Sequence, residues 1–139
     1  MQGRPLVTET PRYGEAAIAT AELEPLPNPS TQRDYSIELS SPEFTCKCPR
    51  SGYPDFATIT LTYVPDESIV ELRSFKLYLN RYRDEYIFHE AVTNKILDDF
   101  VAAIRPRRAE IVADWNVRGN VKTVIRAEYD APAQVGGIH

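Results

Sequence analysis

Cysteine is scarce in this 139-residue chain and unusually placed: there are only two, Cys46 and Cys48, with one residue between them. That spacing excludes a disulfide that would close a loop of useful size, and it suits a reducing compartment. Histidine is as sparse, with only His89 and His139. Cys-x-Cys is not the common structural zinc spacing and His139 ends the chain, so no metal site is expected. Neither sign of charge dominates, since 16 Lys+Arg stand against 20 Asp+Glu for a net −4. This removes an overall basic footprint for wrapping nucleic acid and leaves a small molecule as the expected partner. No apolar run is long enough to span a bilayer, and polar residues and prolines stand where a signal peptide would carry its apolar segment, so the expected location is the cytoplasm. A Gly-x-Gly-x-x-Gly fingerprint is missing, which removes the Rossmann mode of nucleotide binding. A nucleophile-elbow motif is missing too, so a Ser-His-Asp system has no support beyond its residue types.

The length fits one domain of ordinary size. Residues 1–32 hold Pro5, Pro11, Pro25, Pro27 and Pro29, and only the Ala-rich piece from Ala16 to Leu23 has any helical character, so this stretch reads as a flexible extension. Order is expected from about Asp34, where Tyr35, Ile37 and Leu39 alternate with polar residues as on a half-buried strand that continues, interrupted at Pro42, toward Cys48. Ala57, Ile59, Leu61 and Tyr63 alternate with three threonines in a second strand, stopped by Pro65-Asp66. From Ser68 the period lengthens. Leu72, Phe75 and Leu79 share one face of a short helix, and Arg73 and Lys76 share another. After a charged, aromatic connector over 81–87, the stripe from Val92 to Ile104 marks the long helix, which ends at Arg105 before Pro106. Two alternating runs, Ile111 to Val117 and Val121 to Tyr129, flank Gly119-Asn120 as a hairpin, and 131–139 reads as a tail. The order strand, strand, helix, helix, strand, strand predicts an α+β domain over 33–130: a four-stranded antiparallel sheet with both helices on one face. Its two open edges favour pairing with further copies.

Chemistry concentrates in Cys46-Lys47-Cys48-Pro49-Arg50-Ser51-Gly52-Tyr53-Pro54-Asp55. Turn-forming residues fold the chain back between a thiol and a carboxyl, which can then share one cavity: a nucleophile, and an acid for the atom that turns negative. A lone cysteine by a strand is more often a small buried hydrophobe, and an Asp at the foot of a strand is more often a turn residue. Residues two apart on a strand point the same way, so spacing leaves Cys46 and Cys48 both open as the nucleophile. An ordinary thiol, pKa about 8.5, needs help to ionise, for which Lys47 and Arg50 are the nearby cations. An ordinary Asp, pKa about 3.9, must be raised to act as an acid.

Three segments in order carry a more specific signal: Cys48-Pro49-Arg50-Ser51-Gly52-Tyr53-Pro54-Asp55, Glu71-Leu72-Arg73-Ser74-Phe75-Lys76-Leu77-Tyr78 and Phe88-His89-Glu90. Together they resemble the NADPH-dependent 7-cyano-7-deazaguanine reductases of the queuosine pathway, in their short single-module form. The resemblance implies the tunnelling fold shared with GTP cyclohydrolase I, in which subunits join edge to edge and sites form between neighbours, here as two pentameric rings face to face. It selects Cys48, immediately before the proline, as the nucleophile that adds to the nitrile carbon to give a thioimide. Asp55 becomes the acid for the nitrile nitrogen. Glu90 becomes the purine anchor, a carboxylate accepting two parallel hydrogen bonds, with His89 as a polar contact, Phe88 stacking, and Val70, Glu71 and Leu72 against the heterocycle. Arg73, Lys76 and Arg118 are implied to meet the phosphates of NADPH. The family often has lysine at the position of Arg73 and serine at that of Leu72, and an arginine grips phosphate with different geometry. A cyclohydrolase-like or pterin-forming enzyme of the same fold would differ in binding metal if zinc-dependent, and a non-catalytic purine-binding oligomer would differ in consuming no NADPH.

Overall fold

The computed structural model describes residues 10–133. Its centre is a sheet of β2 (Ile37–Lys47), β3 (Pro54–Val64), β5 (Arg108–Arg118) and β6 (Val121–Asp130), antiparallel throughout and in the spatial order β2-β3-β5-β6. Between β3 and β5 the chain forms β4 (Ser68–Val70), helix α2 (Leu72–Asn80), a 3₁₀ turn over Arg81–Asp84 and helix α3 (His89–Ile104). One face of the sheet is the core floor: Ala57, Ile59, Leu61 and Tyr63 on β3 and Ala109, Ile111, Ala113 and Trp115 on β5 are almost fully buried. Both helices lie on that face. Phe100 of α3 sits edge-on to Tyr63 of the sheet at 4.8 Å and to Phe75 of α2 at 6.5 Å, so one aromatic cluster ties the three elements together. The expected α+β order is therefore present.

Two β-bulges set what the sheet can display. The β2–β3 register shifts between Ser41 and Phe44, so Pro42 and Glu43 oppose one residue of β3. A proline on an edge strand is at home in such a place. The extra residue flips the strand's parity: Ile37 and Leu39 face the core before it, and Phe44 and Cys46 face it after. A second shift, between Trp115 and Arg118 of β5, does the same there. Without it two residues three apart would point to opposite faces; with it, Arg118 shares the face of Trp115. The β5–β6 hairpin closes through Gly119 and Asn120, both at positive φ (57° and 68°), the conformation of a tight two-residue turn matched to strand twist.

Two expectations need correction. The second helical region begins at Leu72, not Ser68, because Ser68–Val70 pairs as a strand. Its partner is β1 (Pro25–Pro27), in the segment expected to be a flexible extension. From Tyr13 that segment is structured, with helix α1 (Tyr13–Ala19) followed by β1 against β4. Residues 1–9, and 134–139 of the expected tail, lie outside the described residues.

Candidate active site

Cys48 directly follows the end of β2, and the turn it begins is closed by two backbone bonds: Gly52 N–H donates to the Cys48 carbonyl (2.8 Å) and Cys48 N–H to the Tyr53 carbonyl (2.9 Å). Gly52 at φ +77° makes this tight return possible. The turn aims donors at the sulfur. The Ser51 hydroxyl, then the backbone N–H groups of Ser51 and Arg50, lower the pKa of the half-buried Cys48 thiol. Lys47 and Arg50, the cations nearest in sequence, do not supply this help with their side chains. Lys47 reaches Asp84 (3.7 Å) and lies 5.3 Å from the Tyr86 ring centre, and Arg50 acts through its backbone. Cys46 is fully buried, and burial, with Asp55 adding to it, pushes its thiol up to about 12. These surroundings favour Cys48 as the thiolate.

Asp55, the second residue of β3, stands directly across from Cys46 and is 5% exposed. Its carboxylate is clasped from two sides. His89 Nε2 stands 3.1 Å from Oδ2, and the Arg118 guanidinium donates to Oδ1. The β5 bulge explains the second contact. The His89 ring in turn lies flat on the Trp115 indole, with ring centres 3.9 Å apart and planes 8° from parallel. The connector before α3 is held to the strand end by Lys47 N–H on the Glu85 carbonyl (2.9 Å) and Ile87 N–H on the Lys47 carbonyl (3.0 Å). The start of α3, and with it His89 and Glu90, is thereby brought beside the thiol loop. Glu90 is exposed in the first turn of α3, and its carboxylate has no protein partner among the described residues. Phe88 is half exposed.

The other candidate residues form a second group. Val70 is buried, its N–H donating to the Tyr63 hydroxyl (3.0 Å). The Glu71 side chain caps α2, accepting from Ser74 N–H (2.6 Å) and Arg73 N–H (3.0 Å), which hold its carboxyl below the usual carboxylate range. Leu72, Arg73 and Lys76 are exposed along a groove of ≈ 700 Å³ between α2 and the Glu38–Pro42 stretch of β2. Arg73 and Lys76 form no ion pair among the described residues. Arg118, the third residue implied for the phosphates, bonds Asp55. Val70 meets Tyr63 at one end of β3 and Asp55 stands at the other; the eight residue steps between span roughly 26 Å. Along one chain, Val70 and the start of α2 therefore lie well away from Asp55. No group of three or more His, Cys, Asp or Glu side chains suits a metal ion among the described residues.

A family model described as "QueF-like protein" matches residues 54–134. The chain belongs to this family. Among its relatives in the QueF-like family, a protein of Synechocystis sp. is 59% identical over 118 residues, covering 85% of this chain and 86% of the relative. One of Gloeobacter violaceus is 56% identical over 92% of this chain and 93% of the relative, and one of Aquifex aeolicus is 56% identical over 86% and 92%. Each carries the name NADPH-dependent 7-cyano-7-deazaguanine reductase. A crystal structure of the archaeosine synthase QueF-Like in the apo form superposes with a TM-score of 0.65 at 21% identity, over 70% of this chain and 96% of that one. That likeness is one of fold, the tunnelling fold, with its antiparallel sheet and helices on one face.

Two residues of this candidate site escaped the reading of the sequence. Ser51 looked like turn chemistry alone, and its place two residues after Pro49 in a tight return was the available signal. Trp115 looked like one more inward residue of an alternating strand, and nothing in the sequence pairs it with His89.

Proposed function

We propose that this chain reduces the nitrile of 7-cyano-7-deazaguanine to the aminomethyl group, with NADPH as reductant, in the route to queuosine. The carrying observation is the Cys48 loop beside the Asp55–His89 pair: a thiol whose turn donors stabilise its anion, next to a buried carboxylate bonded to an imidazole. A soft sulfur nucleophile and a proton carrier side by side are what addition to a nitrile requires. The names of the relatives supply the substrate and the reductant.

Cys48 Sγ bonds to the nitrile carbon while its proton passes through Asp55 to the nitrile nitrogen, giving a neutral thioimide with no net change in protons. His89 on Asp55 Oδ2 keeps the carboxylate aimed and shares the proton. NADPH supplies two hydrides per product, because nitrile to amine is a four-electron change. After the first reduction the tetrahedral carbon expels the Cys48 thiolate and leaves an imine, which the second reduction and a proton convert to the amine. Glu90, exposed at the start of α3 and unpaired among the described residues, accepts from the ring N–H and amino group of the base. Arg73 and Lys76 fit the cofactor phosphates.

A site that needs both groups of residues takes them from two chains. The sheet offers β2 and β6 as open edges for that assembly, and Tyr53, Phe56, Phe88 and Val121 leave apolar surface exposed. We take the assembly to be rings joined at these edges and stacked as two pentamers, as the family resemblance implies.

The test is the loss of NADPH absorbance on adding the nitrile, with product counted in parallel. Two NADPH consumed per amine formed is expected, together with a Cys48–substrate adduct by mass spectrometry that Cys48→Ala abolishes. Turnover by Cys48→Ala at the wild-type rate would end the mechanism.

A further inference from the structure

The segment that precedes β2 is bonded to the groove, not merely adjacent to it. Strand β1 runs antiparallel to β4 in the register Pro25↔Val70, Leu26↔Ile69 and Pro27↔Ser68. On either side of it, Glu71 N–H donates to the Glu24 carbonyl (2.8 Å) and Asn28 N–H to the Glu67 carbonyl (2.9 Å). Hydrogen-bonded pairs alternate along an antiparallel ladder, so residues 24, 26 and 28 are the bonding positions and Pro25 and Pro27 occupy the positions between. The missing proline N–H groups cost nothing toward β4 and blunt the outer edge. Ser74 adds a clasp: its buried hydroxyl accepts from Glu24 N–H (3.0 Å) and donates to the Glu71 carbonyl (2.7 Å). The Asn28 side chain bonds the Asp66 carbonyl (2.7 Å). Among the described residues β4 has no strand partner other than β1.

From this we infer that residues 24–28 are a positioning strap for the ligand-binding segment Val70–Lys76, and that Leu26 through its N–H, and Ser74 through its hydroxyl, are positioning residues for the reductase. The inference rests on the proposed role of that segment in binding. Val70 is held from the core side by the Tyr63 hydroxyl, and Glu71 from the other side by Glu24. Glu71 then fixes the first turn of α2, which carries Leu72, Arg73 and Lys76. Releasing the strap frees the N-terminal end of the groove while leaving Cys48, Asp55 and His89 untouched.

The discriminating variant is Leu26→Pro, which deletes the central N–H of the ladder, with Leu26→Ala keeping it. Steady-state kinetics with NADPH and the nitrile should show KM raised about tenfold for Leu26→Pro, the loss of one hydrogen bond's worth of order, with kcat within about twofold. Alkylation of Cys48 should proceed at the wild-type rate, and Leu26→Ala should behave as wild type. If Leu26→Pro does not fold, Ser74→Ala carries the same expectation. Unchanged KM in a variant whose Glu71 amide has lost hydrogen-exchange protection would overturn the strap, as would equal losses in kcat, KM and Cys48 alkylation. Arg73→Ala separates the two ideas. If it too leaves KM unchanged, the binding role of the segment has failed; if it raises KM while a released strap does not, the strap alone has failed.

Discussion

A cysteine attacks as its thiolate, so the pH at which Cys48 reacts measures what its turn does. The Ser51 hydroxyl and the Ser51 and Arg50 amides lower that pKa. The rate of alkylation should therefore rise with pH to a plateau around a midpoint below that of a free thiol. Ser51→Ala removes the first of these donors and should move the midpoint upward, slowing modification at neutral pH; iodoacetamide kinetics followed by mass spectrometry would read it. Wild-type protein should take one label per chain, on Cys48, since the Cys46 thiol is fully buried and pushed up to about 12. Asp55→Asn should slow adduct formation with the nitrile by about 10²-fold, as loss of a positioned proton carrier does, and stopped-flow measurement giving equal rates would remove that role. At this scale three short motifs in order along the chain, through the family they resemble, pointed to Cys48, Asp55 and the helix-start residues Phe88, His89 and Glu90 as candidates. It did not show Arg118 on Asp55, because strand periodicity places residues 115 and 118 on opposite faces and only the bulge between them reverses that. Nor did it separate Cys46 from Cys48 by physics, since both share one parity and their burial depends on where the strand ends.

Elements were legible where the hydrophobic period was long and unbroken, as in β3, α3 and the β5–β6 hairpin. They were missed where proline suggested disorder. Pro25 and Pro27 alternate, and that alternation leaves the carbonyls and amides of 24, 26 and 28 free to pair on one side, which is a strand signal in its own right. Ser68–Val70 did not stand out as a strand because three residues are too few to display a period. The end of α3 carries a local cost: Arg105 takes up φ 53°, ψ 57° ahead of Pro106, a conformation that disfavours a side chain. Arg105→Gly should stabilise the domain by about 1 kcal/mol, raising Tm by roughly 4 °C in a thermal melt, with activity unchanged.

For the whole molecule, the separation of Val70 and the start of α2 from Asp55 along β3 is the governing fact. Cys48→Ala chains and Arg73→Ala/Lys76→Ala chains should each be crippled alone, yet when co-expressed they should recover about a quarter of wild-type turnover, because random mixing pairs two intact halves at that share of the interfaces. Mixed assemblies no more active than the mean of the two parents would mean that each chain completes its own site. A last consequence comes from the stack of Trp115 on His89. The chain has a single tryptophan, wholly shielded from water, and its indole lies flat against the imidazole that reaches Asp55. Indole emission, excited where the eight tyrosines do not absorb, therefore comes from one fluorophore beside the Asp55–His89 pair, so unlabelled protein carries a built-in optical probe for ligand arrival there.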